Sequence, residues 1–149
     1  MRELVVYFSR KGYVKKLAED IARERGADIF ELKTTERTAG FLGFWWCGRF
    51  GMHRWGMPLI SLPESLESYE KITICSPIWV FSVCAPVREF LGAAAGKIKA
   101  AEYYFVHFSP PARYDSAARA ADALLGIRRE RYTSVICVWG RRLFQKSFA

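Results

Sequence analysis

The chain predicts an α/β fold: a doubly wound parallel sheet with helices on both faces. Three observations predict it. Strand-like and helix-like patterns alternate along the sequence, and parallel strands need such crossovers between them. The first strand, Leu4–Phe8, is an apolar run, as strands buried on both faces are. The length of 149 residues suits one domain spanning 1–149, and 51% apolar against 26% charged residues is a globular balance.

The first strand is Leu4–Phe8. A Ser/Gly turn follows, then a helix over 13–25 whose Val14, Leu17, Ala18, Ile21 and Ala22 keep the spacing of one buried face. Asp28–Lys33 reads as a short second strand. Residues 34–68 are long, rich in Gly and aromatics and irregular, with part of the segment open to a helical reading. Lys71–Ser76 is the third strand. Pro86 opens a helix, being well placed at a first helical position, and Val87, Phe90, Leu91 and Ala94 share one face. Tyr103–Phe108 is the fourth strand. A helix over Ala112–Leu125 follows, with Ala118, Ala121, Leu124 and Leu125 inward, and Ser134–Trp139 is the fifth strand. Only Gly140 to Ala149 remain, enough for a shortened C-terminal helix of about two to three turns. Its apolar members, Leu143, Phe144, Phe148 and Ala149, make a thin cover for one face of the sheet. The aromatic stretch 41–57, or a second copy of the chain in a homodimer, is expected to complete that cover.

Met1-Arg2-Glu3 leads directly into strand residues, so no signal peptide is expected. Phe41–Ile60 is the most apolar stretch, but Arg49, His53 and Arg54 interrupt it, so no transmembrane segment is expected. Cys47, Cys75, Cys84 and Cys137 form no C-x-x-C pair and only two histidines exist, which argues against a zinc site or a disulfide framework. Reduced thiols in a cytoplasmic protein are the plain reading. Cys84 reads as a small packing residue. Phe41, Phe44, Trp45, Trp46, Phe50 and Trp55 are open to four readings: core, dimer surface, substrate-facing lid or interfacial membrane helix.

The net charge of +8 is uneven. Residues 1–127 carry 17 Lys/Arg against 14 Asp/Glu, and residues 128–149 carry 6 against 1. The basic C-terminal region suits an acidic partner, an anionic ligand or a membrane surface, or is a solvated surface without a partner. No nucleic-acid-binding signature accompanies it, so nucleic acid is not expected as a partner.

Two segments carry the chemistry. A strand that ends in a tight turn and feeds a helix aims free backbone N–H groups and a positive helix end at one point, a seat for a phosphate. The second is Ser76-Pro77-Ile78-Trp79 after the third strand. With strand order 2-1-3-4-5, the first and third strands flank the point where the winding reverses, and ligands bind there. Trp79, in the turn after the third strand, then offers a flat face beside the phosphate seat, which suits a flat mononucleotide.

Tyr-Phe-Ser-x-x-Gly at 7–12 and Ser-Pro-Ile-Trp at 76–79 resemble the flavodoxin family, and the stretch from Gly40 through Gly48 to Pro58-Leu59 resembles one flavodoxin branch. The resemblance covers most of residues 3–139. It implies a flavodoxin-like five-stranded sheet in the order 2-1-3-4-5, and FMN as cofactor. Ser9, Arg10, Lys11, Gly12, Tyr13 and Val14 would surround the phosphate. Pro77, Ile78, Trp79 and Val80 would line the isoalloxazine ring, and the loop from His107 to Tyr114, with Phe108 and Ser109, would close its other side.

The chain also departs from that pattern. Lys11, Tyr13 and Val14 stand where such loops usually carry Thr, Asn and Thr. Two hydroxyl contacts to a charged group are missing, each worth roughly 1.5–3 kcal/mol. Backbone donors survive the change, and Lys11 adds a cation. The loop after the fourth strand lacks glycine, and Pro110 and Pro111 remove two N–H donors. The resemblance therefore implies an FMN-dependent electron-transfer protein or small flavin oxidoreductase, with an acidic redox protein as partner. The alternative is a flavodoxin-like module whose FMN site is weakened or lost and which acts as a binding or regulatory protein. Flavin chemistry requires no acid/base pair from the protein, and none is visible.

Overall fold

The computed structural model describes residues 2–10, 12–36, 40–53, 55–79, 82–107, 114–138 and 141–148. Five parallel strands form its centre: β1 (Glu3–Tyr7), β2 (Asp28–Glu31), β3 (Lys71–Trp79), β5 (Ala101–His107) and β6 (Arg131–Val138). They lie in the order β2-β1-β3-β5-β6, the order expected from the sequence. Two strands were not expected. The short β4 (Ser82–Val83) folds back antiparallel on the end of β3, and β7 (Arg141–Phe148) pairs antiparallel with β6.

The tail is thus a strand and not a shortened C-terminal helix. Its register skips one residue, Ile136 facing Phe144 and Cys137 facing Arg142. Such a bulge turns the strand, and Arg142 reaches Asp20 of the first helix in an ion pair. The sheet face that seemed to need a second copy is buried within the chain: Tyr104, Val106, Val135 and Cys137 are each 8% exposed or less.

Helix α1 (Tyr13–Arg25) lies on that face and buries Val14, Leu17, Ala18, Ile21 and Ala22 against Val5, Tyr7 and Cys75. Gly26, at φ 63, ends it in the left-handed conformation that glycine adopts without strain. The other face carries α2 (Gly40–His53), α3 (Ala85–Ala94) and α4 (Asp115–Leu125). Pro86 sits in the first turn of α3, and Val87, Phe90, Leu91 and Ala94 are buried together as their spacing predicts. In α4 the inward residues are Ala117, Ala118, Ala121 and Leu125, while Leu124 is only partly buried. Residues 112 and 113, expected to open this helix, lie outside the described residues.

The aromatic segment forms α2, which divides between readings. Cys47 and Phe50 enter the core with Met57, whereas Phe41, Phe44 and Trp45 stay exposed. Among the described residues, no helix is long and apolar enough to cross a membrane. At the amino ends of the strands, buried Glu102 pairs with Lys71, Arg25 and Arg131 and ties β3, α1 and β6 to β5.

Candidate functional site

The carboxyl ends of β1, β3, β5 and β6 frame the site. After β1 the chain passes Phe8, Ser9 and Arg10 and turns into α1 at Gly12. Gly12 has φ +90, where any L side chain is strained, so glycine is what lets the strand become a helix so abruptly. Its N–H donates to Ser9 Oγ at 2.9 Å. Gly12 is the N-cap of α1 and supplies no side-chain cap, and Lys16 N–H donates to the Gly12 carbonyl at 3.1 Å. The N–H groups ahead of Lys16 therefore lie outside the helical ladder, at the positive end of the helix dipole.

Arg10 fixes the turn against α2. Its Nη2 donates to the Gly40 carbonyl at 2.7 Å, tying the turn to the first residue of α2. The guanidinium carbon stands 5.4 Å from the centre of the Phe44 ring. Its Nε is buried with no hydrogen-bond partner among the described residues.

Across the site, β3 runs on through Pro77 and Ile78 to Trp79, where a turn was expected. Pro77 still pairs with Val106, and Ile78 and Trp79 then pair with Val83 and Ser82. Ser76 fixes the hairpin: its Oγ accepts from Cys84 N–H at 3.1 Å and donates to the Pro77 carbonyl at 2.8 Å. As a strand residue, Trp79 is only 8% exposed and meets Phe8 edge-on at 5.7 Å, so it is a wall and not a free platform.

Between these walls lies a cavity of about 590 Å³, a volume suited to a small-molecule cofactor. Seven of the residues expected at the site line it: Ser9, Arg10, Tyr13, Val14, Pro77, Ile78 and Trp79. Gly12 shapes the turn without facing the cavity. Tyr114 does not reach it either. Its N–H donates to the Tyr132 hydroxyl at 3.1 Å and its ring packs on His107 at 4.6 Å, which buries it at the start of α4. Lys11, Val80, Phe108 and Ser109 lie outside the described residues.

Six further lining residues had not been assigned to the site, and His107 had been placed there only as the start of the closing loop. Val106, His107, Cys137 and Val138 come from the ends of β5 and β6, and Phe44, Cys47 and Gly48 from α2. The first four follow from the rule that ligands sit at the carboxyl ends of the strands. His107 is held by a 2.5 Å contact between its Nε2 and Ser134 Oγ. Burial pushes the Cys47 thiol up to about 11, against the opposing pull of Arg10, and the Cys84 thiol up to about 12, despite its bond to Ser76. Both stay protonated at neutral pH and neither is a nucleophile. Cys84 is fully buried at the N-cap of α3, as a packing residue should be.

No protein-family model matches this chain, and no curated protein matches its sequence. Solved structures do match. A flavoprotein from Lactobacillus acidophilus, crystallised in complex with FMN, aligns with a TM-score of 0.70 at 18% identity, over 87% of this chain and 89% of its own. A candidate flavoprotein from Bacteroides uniformis gives 0.73 at 19% identity, over 88% and 85%. A flavodoxin from the domain Archaea gives 0.52 at 17%, over 87% and 78%. At these identities the likeness shows the fold, and the fold is flavodoxin-like.

Proposed function

We propose that this chain binds FMN in the cavity at the carboxyl ends of its strands and acts as an FMN-dependent electron-transfer protein or small flavin oxidoreductase. One observation carries the reading: Arg10 lines the same cavity on which the uncapped start of α1 opens. Both are matched to an anion, and the apolar wall of Pro77, Ile78 and Trp79 beside them is matched to a flat ring. The FMN complex of the structurally similar Lactobacillus flavoprotein supports the same reading.

Ser9, Arg10, Tyr13 and Val14, around the turn made by Gly12, would hold the phosphate. Pro77, Ile78, Trp79, Val106 and His107 would hold the ring and exclude water from it. Bound FMN supplies one- or two-electron transfer, and the protein sets its affinity, access and potential. Lys11, Val80, Phe108 and Ser109 belong to the proposed site through the sequence resemblance alone. Four buried free cysteines support a reducing, cytoplasmic setting, and the basic surface supports an acidic redox partner.

The test is the purified protein's absorption spectrum, with FMN release on denaturation and titration of the stripped protein with FMN and riboflavin. A yellow protein that binds FMN more tightly than riboflavin is the expected result. A colourless protein that takes up neither flavin would leave the binding-module alternative in its place.

A further inference from the structure

We propose that the outer face of α2 seats this protein on an anionic lipid surface. The helix is apolar on two opposite sides. Cys47 and Phe50 pack inward with Trp46 beside them. The helical repeat puts Phe41, Trp45 and Met52 on the far side, with Leu42 and Phe44 on its flanks. These five are 82%, 57%, 70%, 57% and 60% exposed, in that order. Together they leave roughly 600 Å² of apolar surface in water, at the upper end of what a monomer tolerates without a partner. At 14 residues α2 is too short to span a bilayer, so the geometry is that of a helix lying in the interface.

Charge selects the occupant. Between Glu36 and Glu64 the sequence has three arginines and no Asp or Glu. The Arg49 guanidinium lies 6.0 Å from the Trp45 ring, so a cation and an aromatic stand together on the exposed side, as they do at headgroup depth. Two carboxylates stand beside this segment. Glu36 accepts from Trp46 Nε1 at 3.0 Å, and Glu89 lies against Gly56 on the α3 side. A second copy docked through this face would set Arg49 against Arg49 and bring together two chains of +8 each. An anionic headgroup layer gains from both features, because its charge meets Arg49 while its acyl boundary takes Phe41, Trp45 and Met52.

The test is co-sedimentation of the full chain with vesicles of phosphatidylcholine alone or mixed with phosphatidylglycerol, at low and high salt. Binding to the mixed vesicles that weakens with salt is expected. The triple variant Phe41→Ser, Trp45→Ser, Met52→Ser should bind at least about tenfold more weakly. Arg49→Glu should lower binding to mixed vesicles. All four positions are exposed, and a thermal melt of each variant verifies its fold. The conservative Trp45→Phe variant should still bind while losing tryptophan quenching by brominated lipid, a readout independent of the triple variant. Failure to bind either vesicle, or equal binding by the triple variant, would overturn the proposal. Self-association that the triple variant abolishes, without vesicle binding, would overturn it in favour of a second copy. Flavin content plays no part in these readouts, so this result stands apart from that of the FMN titration.

Discussion

Replacing Glu102 by Gln removes one negative charge from a site that holds three positive ones. The Glu102 side chain is fully buried and accepts from Lys71 Nζ at 2.7 Å, Arg131 Nε at 2.7 Å and Arg25 Nη1 at 3.1 Å. Burial alone would raise the pKa of this carboxyl, but the bonds from Lys71, Arg131 and Arg25 outweigh it and hold the pKa at about 2. A folded-state pKa below the unfolded one means stability that is present above the unfolded value and is lost as pH falls toward 2. The gap corresponds to about 3 kcal/mol, most of it lost between roughly pH 5 and pH 2. At neutral pH the variant should lose about 3–5 kcal/mol, because Lys71, Arg25 and Arg131 lose the buried carboxylate they share, leaving Lys71 only the carboxylate of Glu130 and Arg25 only that of the more distant Glu3. For a chain of this size that lowers Tm by at least roughly 6–12 °C. The assay is urea unfolding of both proteins from pH 7 down to pH 3. Their stability difference should shrink steadily over the lower half of that range. A difference that stays constant from pH 7 to pH 3 would refute the assignment of this stability to an ionised Glu102. FMN affinity should not change, since Glu102 and the cavity-lining His107 are five residues apart on β5, roughly 17 Å.

Trp79→Ala should weaken FMN binding by about 1–3 kcal/mol, on the scale of aromatic–base stacking. It should also destabilise the fold by about 3–5 kcal/mol, because Trp79 is core as well as wall. An unchanged FMN titration of the folded variant would remove Trp79 from the site. Arg10→Ala should weaken FMN by roughly ten- to a hundredfold and riboflavin, which has no phosphate, far less; equal losses would make Arg10 a mere tether of α2. With a net charge of +8 and Arg10 on the cavity, reduced flavin should be less disfavoured than in acidic flavodoxins. Spectroelectrochemistry should therefore give a higher potential than theirs, falling in Arg10→Ala, and a potential as low as theirs would contradict this.

What was legible in the sequence was what local physics dictates. Helix α1 matched its expected span because five apolar residues hold one face and Gly26 stops it, and Pro86 marked the start of α3 for the same kind of reason. The parallel sheet followed from strand-like and helix-like patterns in alternation, and its strand order from the resemblance to the flavodoxin family. Two strands were hidden by chemistry that usually means something else. Pro77 reads as the end of a strand, yet β3 continues through it because its other neighbours still pair. In β7 an extra residue between Arg142 and Phe144, opposite the Ile136–Cys137 step of β6, breaks the two-residue alternation, and a helix was expected there because sheets of this kind normally carry one after the fifth strand. Helix α2 carries Gly40, Gly43, Gly48 and Gly51, poor helix formers, and apolar residues on both sides, so periodicity could not find it. The same helix supplies Phe44, Cys47 and Gly48 to the cavity, which is why half of one wall was missed. The phosphate turn was found because a strand, a glycine and a helix lie adjacent in sequence. Tyr114 was misplaced because contacts distant in sequence, to Tyr132 and His107, decide where it points.

The C-terminal strand gives the basic tail a role that needs no partner. An open sheet ends in a row of unpaired backbone donors and acceptors, and such a row is a template on which other chains aggregate. Without β7, that row would be β6, whose Tyr132, Val135 and Cys137 are apolar and buried. With β7 in place, the outermost strand carries the exposed cations Arg142 and Lys146. A second such strand arriving at this edge would meet like charge along its length. At the opposite edge β2 is only four residues long and bears Asp28 and Glu31. Both rims of the sheet are therefore guarded against fibril-like growth, one by cations and one by brevity and carboxylates.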